Sequence, residues 1–131
     1  MKIVLDTNVI ISAALTPGRN AGIIFELIFN SEKIELFYCD GILAEYQKVL
    51  AKPTLKIPPE LQRQALDDIK ENGSYILPAS STVLLKHEAD RIFYDTAVSS
   101  GAILITGNLK HYPDENFILN PADFIAKFLK I

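Results

Sequence analysis

Apolar positions follow two periods along this chain, and the two alternate. Ile3-Val4-Leu5 is an unbroken apolar run closed by Asp6, the pattern of a strand buried on both faces whose last residue emerges at the sheet edge. Residues 8–15 then predict a short helix, with Asn8 as its cap and Pro17-Gly18 as its stop. Ile23, Ile24, Leu27 and Ile28 recur at helical spacing in a second helix ending near Asn30, and Ile34 to Tyr38 reads as a second strand. Asp40 is placed to cap a third helix over 41–51, where Ile42, Tyr46 and Val49 make one stripe and Pro53 ends the run. Pro58-Pro59 opens a fourth helix that Gly73 stops, since proline suits a first turn and glycine the position past a last one. Tyr75 to Leu77 is a brief strand, and Ser80-Ser81-Thr82 marks a turn. Asp90 to Ser100 predicts a helix closed by Gly101, Ala102 to Ile105 the most apolar strand, Phe117 to Leu119 a last strand, and Pro121 to Leu129 a terminal helix. Strands alternating with helices predict a mainly parallel sheet with helices on both faces, a three-layer α/β/α arrangement. The 131 residues suit a single domain spanning 1–131.

Composition narrows the class. With 49% hydrophobic and 22% charged residues the chain is of the folded kind, not the disordered kind. A net charge of −3 argues against the broad basic footprint of a pure nucleic-acid-binding module, yet not against a nuclease, whose metal-binding acids lower the count themselves. The single Cys39 removes any intramolecular disulfide and reads as a small buried apolar residue, so a reducing cytoplasm is the expected compartment. No apolar run of signal or membrane-spanning length is visible, and no membrane association is expected.

Candidate chemistry sits where the apolar segments end. Asp6-Thr7-Asn8-Val9, Glu45-Tyr46, Asp90-Arg91-Ile92-Phe93 and Thr106-Gly107-Asn108 each place a carboxylate or small polar group at a strand end or on a helix. In an α/β sheet the crevice lies outside the carboxyl ends of the strands, so acids from distant segments can converge there. A like-charged pair about 4 Å apart costs on the order of 4 kcal/mol at an effective dielectric near 20, and a hard divalent cation bound by oxygens relieves it.

These four stretches, in this order on a chain of this size, resemble the PIN-domain family, near the toxin components of toxin–antitoxin pairs such as the VapC-type toxins. Leu5 to Ala13 resembles the family's opening signature, Leu43 to Leu50 its central acidic helix, and Asp90 to Phe93 and Leu104 to Asn108 its third and fourth motifs. The resemblance implies a Mg2+- or Mn2+-dependent ribonuclease with RNA as substrate and a small antitoxin as partner. Asp6, Glu45 and Asp90 would then be the catalytic metal ligands, leaving positions for water and a phosphate oxygen, with Asn108 a further ligand. Thr7 and Asn8 would hydrogen-bond the neighbouring carboxylates, and Thr106 would do the same from the opposite strand. Many family members carry an aspartate after the Thr-Gly pair where this chain has Asn108, which puts a second metal in doubt. Asp95 and Asp114 are the additional candidates, although Asp95 falls about 140° around the helix from Asp90. Arg19, Arg91, Lys110 and His111 are candidate RNA contacts.

Simpler readings stand beside these. Asp6 and Asp90 can each serve only as helix caps, and Glu45 alone would be a solvated charge. His87 and His111 lack zinc-site spacing and read as surface residues. Two rival functions remain: a catalytically weak PIN-like module that binds RNA or protein, and an aspartate-dependent phosphatase, which lacks a convincing catalytic lysine here. A homodimer is expected because the second helix, with Ile23, Ile24, Phe25, Leu27, Ile28 and Phe29, carries more apolar surface than one core-facing stripe needs.

Overall fold

A computed structural model describes residues 1–129. Strand β1 (Lys2–Leu5) lies at the centre of a five-stranded sheet, with β2 (Glu35–Tyr38) on one side and β4 (Ile103–Ile105) on the other. The edges are β3 (Ser74–Tyr75) beside β2 and β5 (Ile118–Leu119) beside β4, giving the order β3-β2-β1-β4-β5 with every pairing parallel. The apolar runs explain the middle of this sheet: Ile3, Val4, Leu5, Leu36, Leu104 and Ile105 have no solvent exposure, the condition of strands covered on both faces.

Six helices complete the three-layer α/β/α fold: α1 (Thr7–Leu15), α2 (Asn20–Asn30), α3 (Asp40–Leu50), α4 (Pro59–Asn72), α5 (Arg91–Ser100) and α6 (Pro121–Phe124). Helix α5 packs directly on β1, β2 and β4, and α2 is in contact with α1, α4 and α6. Helix α5 ends at Gly101, whose φ of 70° is the left-handed cap that glycine adopts without strain. Gly73 ends α4 for another reason: a Cβ there would stand 2.6 Å from the Ile69 carbonyl oxygen and 2.9 Å from the Tyr38 ring. None of the helices among the described residues is long and apolar enough to cross a membrane.

Several local expectations are corrected. Asp6, not Asn8, caps α1, and Asp40 is the first residue of α3 with Cys39 at the cap position, its carboxylate accepting a hydrogen bond from the Tyr75 hydroxyl instead. On α2, Ile24 and Ile28 are buried, while Ile23, Phe25, Leu27 and Phe29 are partly buried against the core. The segment around Ser80-Ser81-Thr82 is an extended strap along α5, with no tight turn. Its backbone is tied to side chains of that helix: Arg91 donates to the Ser81 and Val83 carbonyls and the Ser81 hydroxyl, Asp95 accepts from the Ser81 N–H, and Ser99 accepts from the Ala79 N–H. The terminal helix is α-helical only to Phe124 and widens to a π-helical turn over Ile125–Leu129.

The order of the strands locates the crevice. β1 is followed in sequence by connections that lead to β2 on one side, and the later chain returns to β4 on the other, so the carboxyl ends of β1 and β4 flank a topological switch point. Asp6 follows β1 directly and Thr106 follows β4, and the Asp6 N–H bonds the Ile105 carbonyl at 2.9 Å.

Candidate metal centre

Asp6 is held on all sides. Its Oδ1 accepts the Thr7 N–H at 2.7 Å, and its Oδ2 accepts the hydroxyls of Thr106 at 2.8 Å and Tyr112 at 2.9 Å. The residue is 4% exposed. A carboxylate offers about four acceptor sites, so three are filled and the side chain has one orientation. The cap reading of Asp6 holds through Oδ1, while Oδ2 is bound by the two hydroxyls.

Around it, β4 and α1 are stitched by short polar side chains. Asn8 accepts the Gly107 N–H at 2.7 Å through Oδ1 and donates to the Thr106 hydroxyl at 3.4 Å, while the Asn108 N–H donates to that same hydroxyl at 3.0 Å. Thr106 supports a carboxylate as the sequence suggests. Thr7 does so only through its backbone, its buried Oγ1 being without a hydrogen-bond partner among the described residues, and Asn8 acts one step removed, on Thr106 and Gly107.

Asp90 presents the opposite case. It stands at the start of α5 but makes no capping bond, and its Oδ2 is buried without a hydrogen-bond partner among the described residues. The His111 Nδ1 lies 3.2 Å from that oxygen, although the ring is not aligned to donate to it. Burial, followed by the charge of Asp6, holds the Asp90 carboxyl above the ordinary carboxylate range, with His111 pulling the other way. The charge of Asp6 thus acts unfavourably on an ionised Asp90.

The other candidates are distributed unevenly. Glu45 is half-buried on α3 and takes part in no hydrogen bond or ion pair among the described residues. Asn108 is exposed at the start of the single helical turn Leu109–His111, and its side chain caps nothing. Lys110 and His111 share that turn and line a hollow with Gly107, Asn108 and Asn120. Asp114 is exposed in the loop beyond it. Arg19 is in the turn after α1, about 14 Å of helix away from Asp6. Arg91 directs its guanidinium at Glu88 and the strap. Asp95 is buried against the strap, where Arg91 and Ser81 face it.

Two tyrosines beside Asp6 were not among the candidate site residues. Tyr112 donates to Asp6, and the fully buried Tyr46 donates to the Leu5 carbonyl, fixing α3 to the end of β1 beside the site. Burial pushes both phenols up, with the Asp6 charge adding to it, so each keeps its proton and remains a donor. The available signal was that a buried tyrosine needs a hydroxyl partner, and Tyr46 and Tyr112 are adjacent to motif residues.

Among the described residues no three His, Cys, Asp or Glu side chains are gathered closely enough to grip an ion. The Asp6–Asp90 pair nevertheless fits a hard divalent cation, because it combines mutual repulsion with an orphaned carboxylate oxygen, and Mg2+ ordinarily binds through one or two carboxylates plus waters and substrate phosphate.

Residues 2–110 match the family model of the PIN domain. Over 99% of its length the chain is 32% identical to the uncharacterized protein MJ1680 of Methanocaldococcus jannaschii, covering 93% of that protein. In fold it is similar to VapBC2 from Rickettsia felis bound to a DNA fragment from their promoter, with a TM-score of 0.61 at 20% identity over 92% of this chain and 98% of that one.

Proposed function

The chain belongs to the PIN-domain family, and we propose that it is a metal-dependent endoribonuclease, the toxin of a toxin–antitoxin pair, which hydrolyses RNA phosphodiester bonds at Asp6 and Asp90 with Mg2+ or Mn2+. The observation that carries this reading is the pair of carboxylates at the switch point, one fully held and the other, raised in pKa by burial and by its neighbour's charge, with a buried oxygen that faces only the His111 imidazole. When bound, the cation supplies an acidified water and a positive charge beside the phosphate. Asp6 sets the position, since Thr7, Thr106 and Tyr112 allow its carboxylate no other rotamer. Asp90 supplies the free oxygen. Glu45, half-buried on α3 and without a hydrogen bond or ion pair among the described residues, would be the third carboxylate. Lys110, exposed on the rim, meets the RNA backbone, where a cation opposite phosphate adds affinity without base preference.

Partners follow the same reading. Ile10, Ala13, Leu15, Phe25, Leu50 and Leu61 help line an apolar hollow of about 360 Å3 between α1, α2 and α4, suited to the apolar face of a small antitoxin. A homodimer would use the exposed Tyr75, Leu77, Leu84 and Val98 in place of α2, and light scattering checks it.

The test is cleavage of a single-stranded RNA with Mn2+ or Mg2+. Activity should vanish with chelator and in Asp90→Asn, and unchanged cleavage in excess chelator overturns the mechanism. A second reading, a PIN-like module that binds RNA without cutting it, is favoured by the separation of Glu45 from the other two acids. It predicts RNA binding without turnover at any Mn2+ concentration.

A further inference from the structure

Asp6 is oriented by donors to its own carboxylate, and Asp90 has no such set: it makes no capping bond, and only the His111 imidazole, 3.2 Å from Oδ2, faces that buried oxygen. Its orientation rests on the backbone that carries it, and Arg91 clamps that backbone. Nε and Nη2 of Arg91 donate to the two carboxylate oxygens of Glu88 at 2.7 and 2.6 Å, which ties the turn Glu88–Asp90 to the first residue of α5 across Asp90. Nη1 donates to the Ser81 carbonyl and hydroxyl, at 3.0 Å each, and Nη2 to the Val83 carbonyl at 2.7 Å. Every guanidinium N–H is thereby engaged, and none is left over for a phosphate. The grip continues at four-residue steps along α5, where Asp95 accepts the Ser81 N–H and Ser99 the Ala79 N–H, so the strap that leads into the turn is held along its length.

We infer that Arg91 is a positioning residue for Asp90: the clip it forms with Glu88 and the strap, and not a contact with RNA, holds the Asp90 carboxylate in place for the cation. The inference rests on the metal-dependent reading above. Glu88 is 73% exposed, and an ion pair with so exposed a partner adds little to stability, so support of the fold alone does not account for the pair. What a planar fork of donors supplies is fixed geometry. Groups that orient a metal ligand cost about ten- to a hundredfold in metal affinity or activity when they are removed.

The test measures Mn2+ affinity, kcat and KM for a single-stranded RNA, and RNA affinity of the metal-free protein, each well below the unfolding midpoint of the variant. In Arg91→Ala and in Glu88→Ala, Mn2+ affinity and kcat should each fall at least about tenfold, while KM and metal-free RNA affinity stay within about twofold of wild type. Arg91→Lys, which keeps the charge and loses the fork, should not restore them. Ser99→Ala, which frees only the far end of the strap, should match wild type in every readout. A contact with RNA predicts the other split: weaker RNA binding in Arg91→Ala at unchanged kcat, recovery in Arg91→Lys, and tighter RNA binding in Glu88→Ala. That result overturns the inference, as does Mn2+ affinity that holds in Arg91→Ala or Glu88→Ala or that falls equally in Ser99→Ala, and each leaves the metal centre standing. Mn2+ binding that Asp90→Asn does not weaken overturns the metal centre and the inference together.

Discussion

Asp6 and Asp90 are both acids at the carboxyl end of the sheet, and the fold treats them differently. Asp6, 4% exposed, has three donors and is part of the framework. Asp90 has a buried oxygen faced only by the His111 imidazole at 3.2 Å, and a neighbour of like charge. The difference separates two roles that a list of site residues merges: one carboxylate is held by the fold, and the other is held in a state that a cation would relieve. A buried charge with good hydrogen bonds supports the fold, whereas a buried acceptor without one costs stability and is retained for another reason.

The largest expected effect follows from removing the framework member. Asp6→Ala strands the hydroxyls of Thr106 and Tyr112, both buried, and removes the cap of α1; at roughly 1–3 kcal/mol for each unsatisfied buried group, a loss of about 3 kcal/mol is expected in urea unfolding. Repulsion alone would predict the reverse, a fold unharmed or stabilised by neutralising Asp6, and a higher unfolding midpoint in the metal-free variant would restore that view. Tyr112→Phe is a gentler form of the same test. It deletes one neutral donor to a charged acceptor and should cost about 1.5 kcal/mol while Mn2+ still binds.

Asp90→Asn should act in the opposite direction. The folded protein holds the Asp90 proton more tightly than the unfolded chain does, because burial and Asp6 raise its pKa. Stability of the metal-free protein therefore declines as pH rises from the ordinary aspartate value to the raised one, and stays reduced above it. The asparagine variant lacks that decline, so above this window its melting temperature should exceed that of wild type by a few degrees, with Mn2+ binding lost. Melting curves of both proteins across the acid range check it. Equal midpoints throughout would make Asp90 an ordinary solvated acid.

The two acids also differ in how far the sequence revealed them. β1 and Asp6 are legible because an apolar run, its polar end and the start of a helix coincide within six residues. What holds Asp6 is not, since Tyr112 is 106 positions away and a tyrosine among apolar residues looks like core. The strap shows the same limit: Ser80-Ser81-Thr82 carries local turn signals, yet Arg91, Asp95 and Ser99 bind its backbone from a helix that follows it. Helix α2 shows a further limit: its apolar surplus packs in part on the chain's own α1, α4 and α6, a packing choice that periodicity within one segment does not encode. Helical spacing sets Asp95 about 140° around α5 from Asp90, and its carboxylate accepts the Ser81 N–H of the strap.

The smallest expected effect concerns Asn108. Its side chain is exposed and caps nothing, so Asn108→Ala should change stability by less than about 0.5 kcal/mol. A turn-forming role would instead cost about 1 kcal/mol through lost local hydrogen bonds. On turnover the two views of the centre diverge. If Asn108 supplies an oxygen to the cation, its removal lowers turnover substantially and Asn108→Asp tightens metal binding by adding charge. If Asn108 is surface only, turnover in Asn108→Ala stays within about twofold of wild type, a barrier change below about 0.5 kcal/mol. Turnover, Mn2+ affinity and melting temperature measured together on Asn108→Ala and Asn108→Asp assign the position: a large loss of turnover in the first with tighter Mn2+ binding in the second makes Asn108 a ligand, and unchanged turnover in the first leaves Asn108 as surface beside the carboxylates.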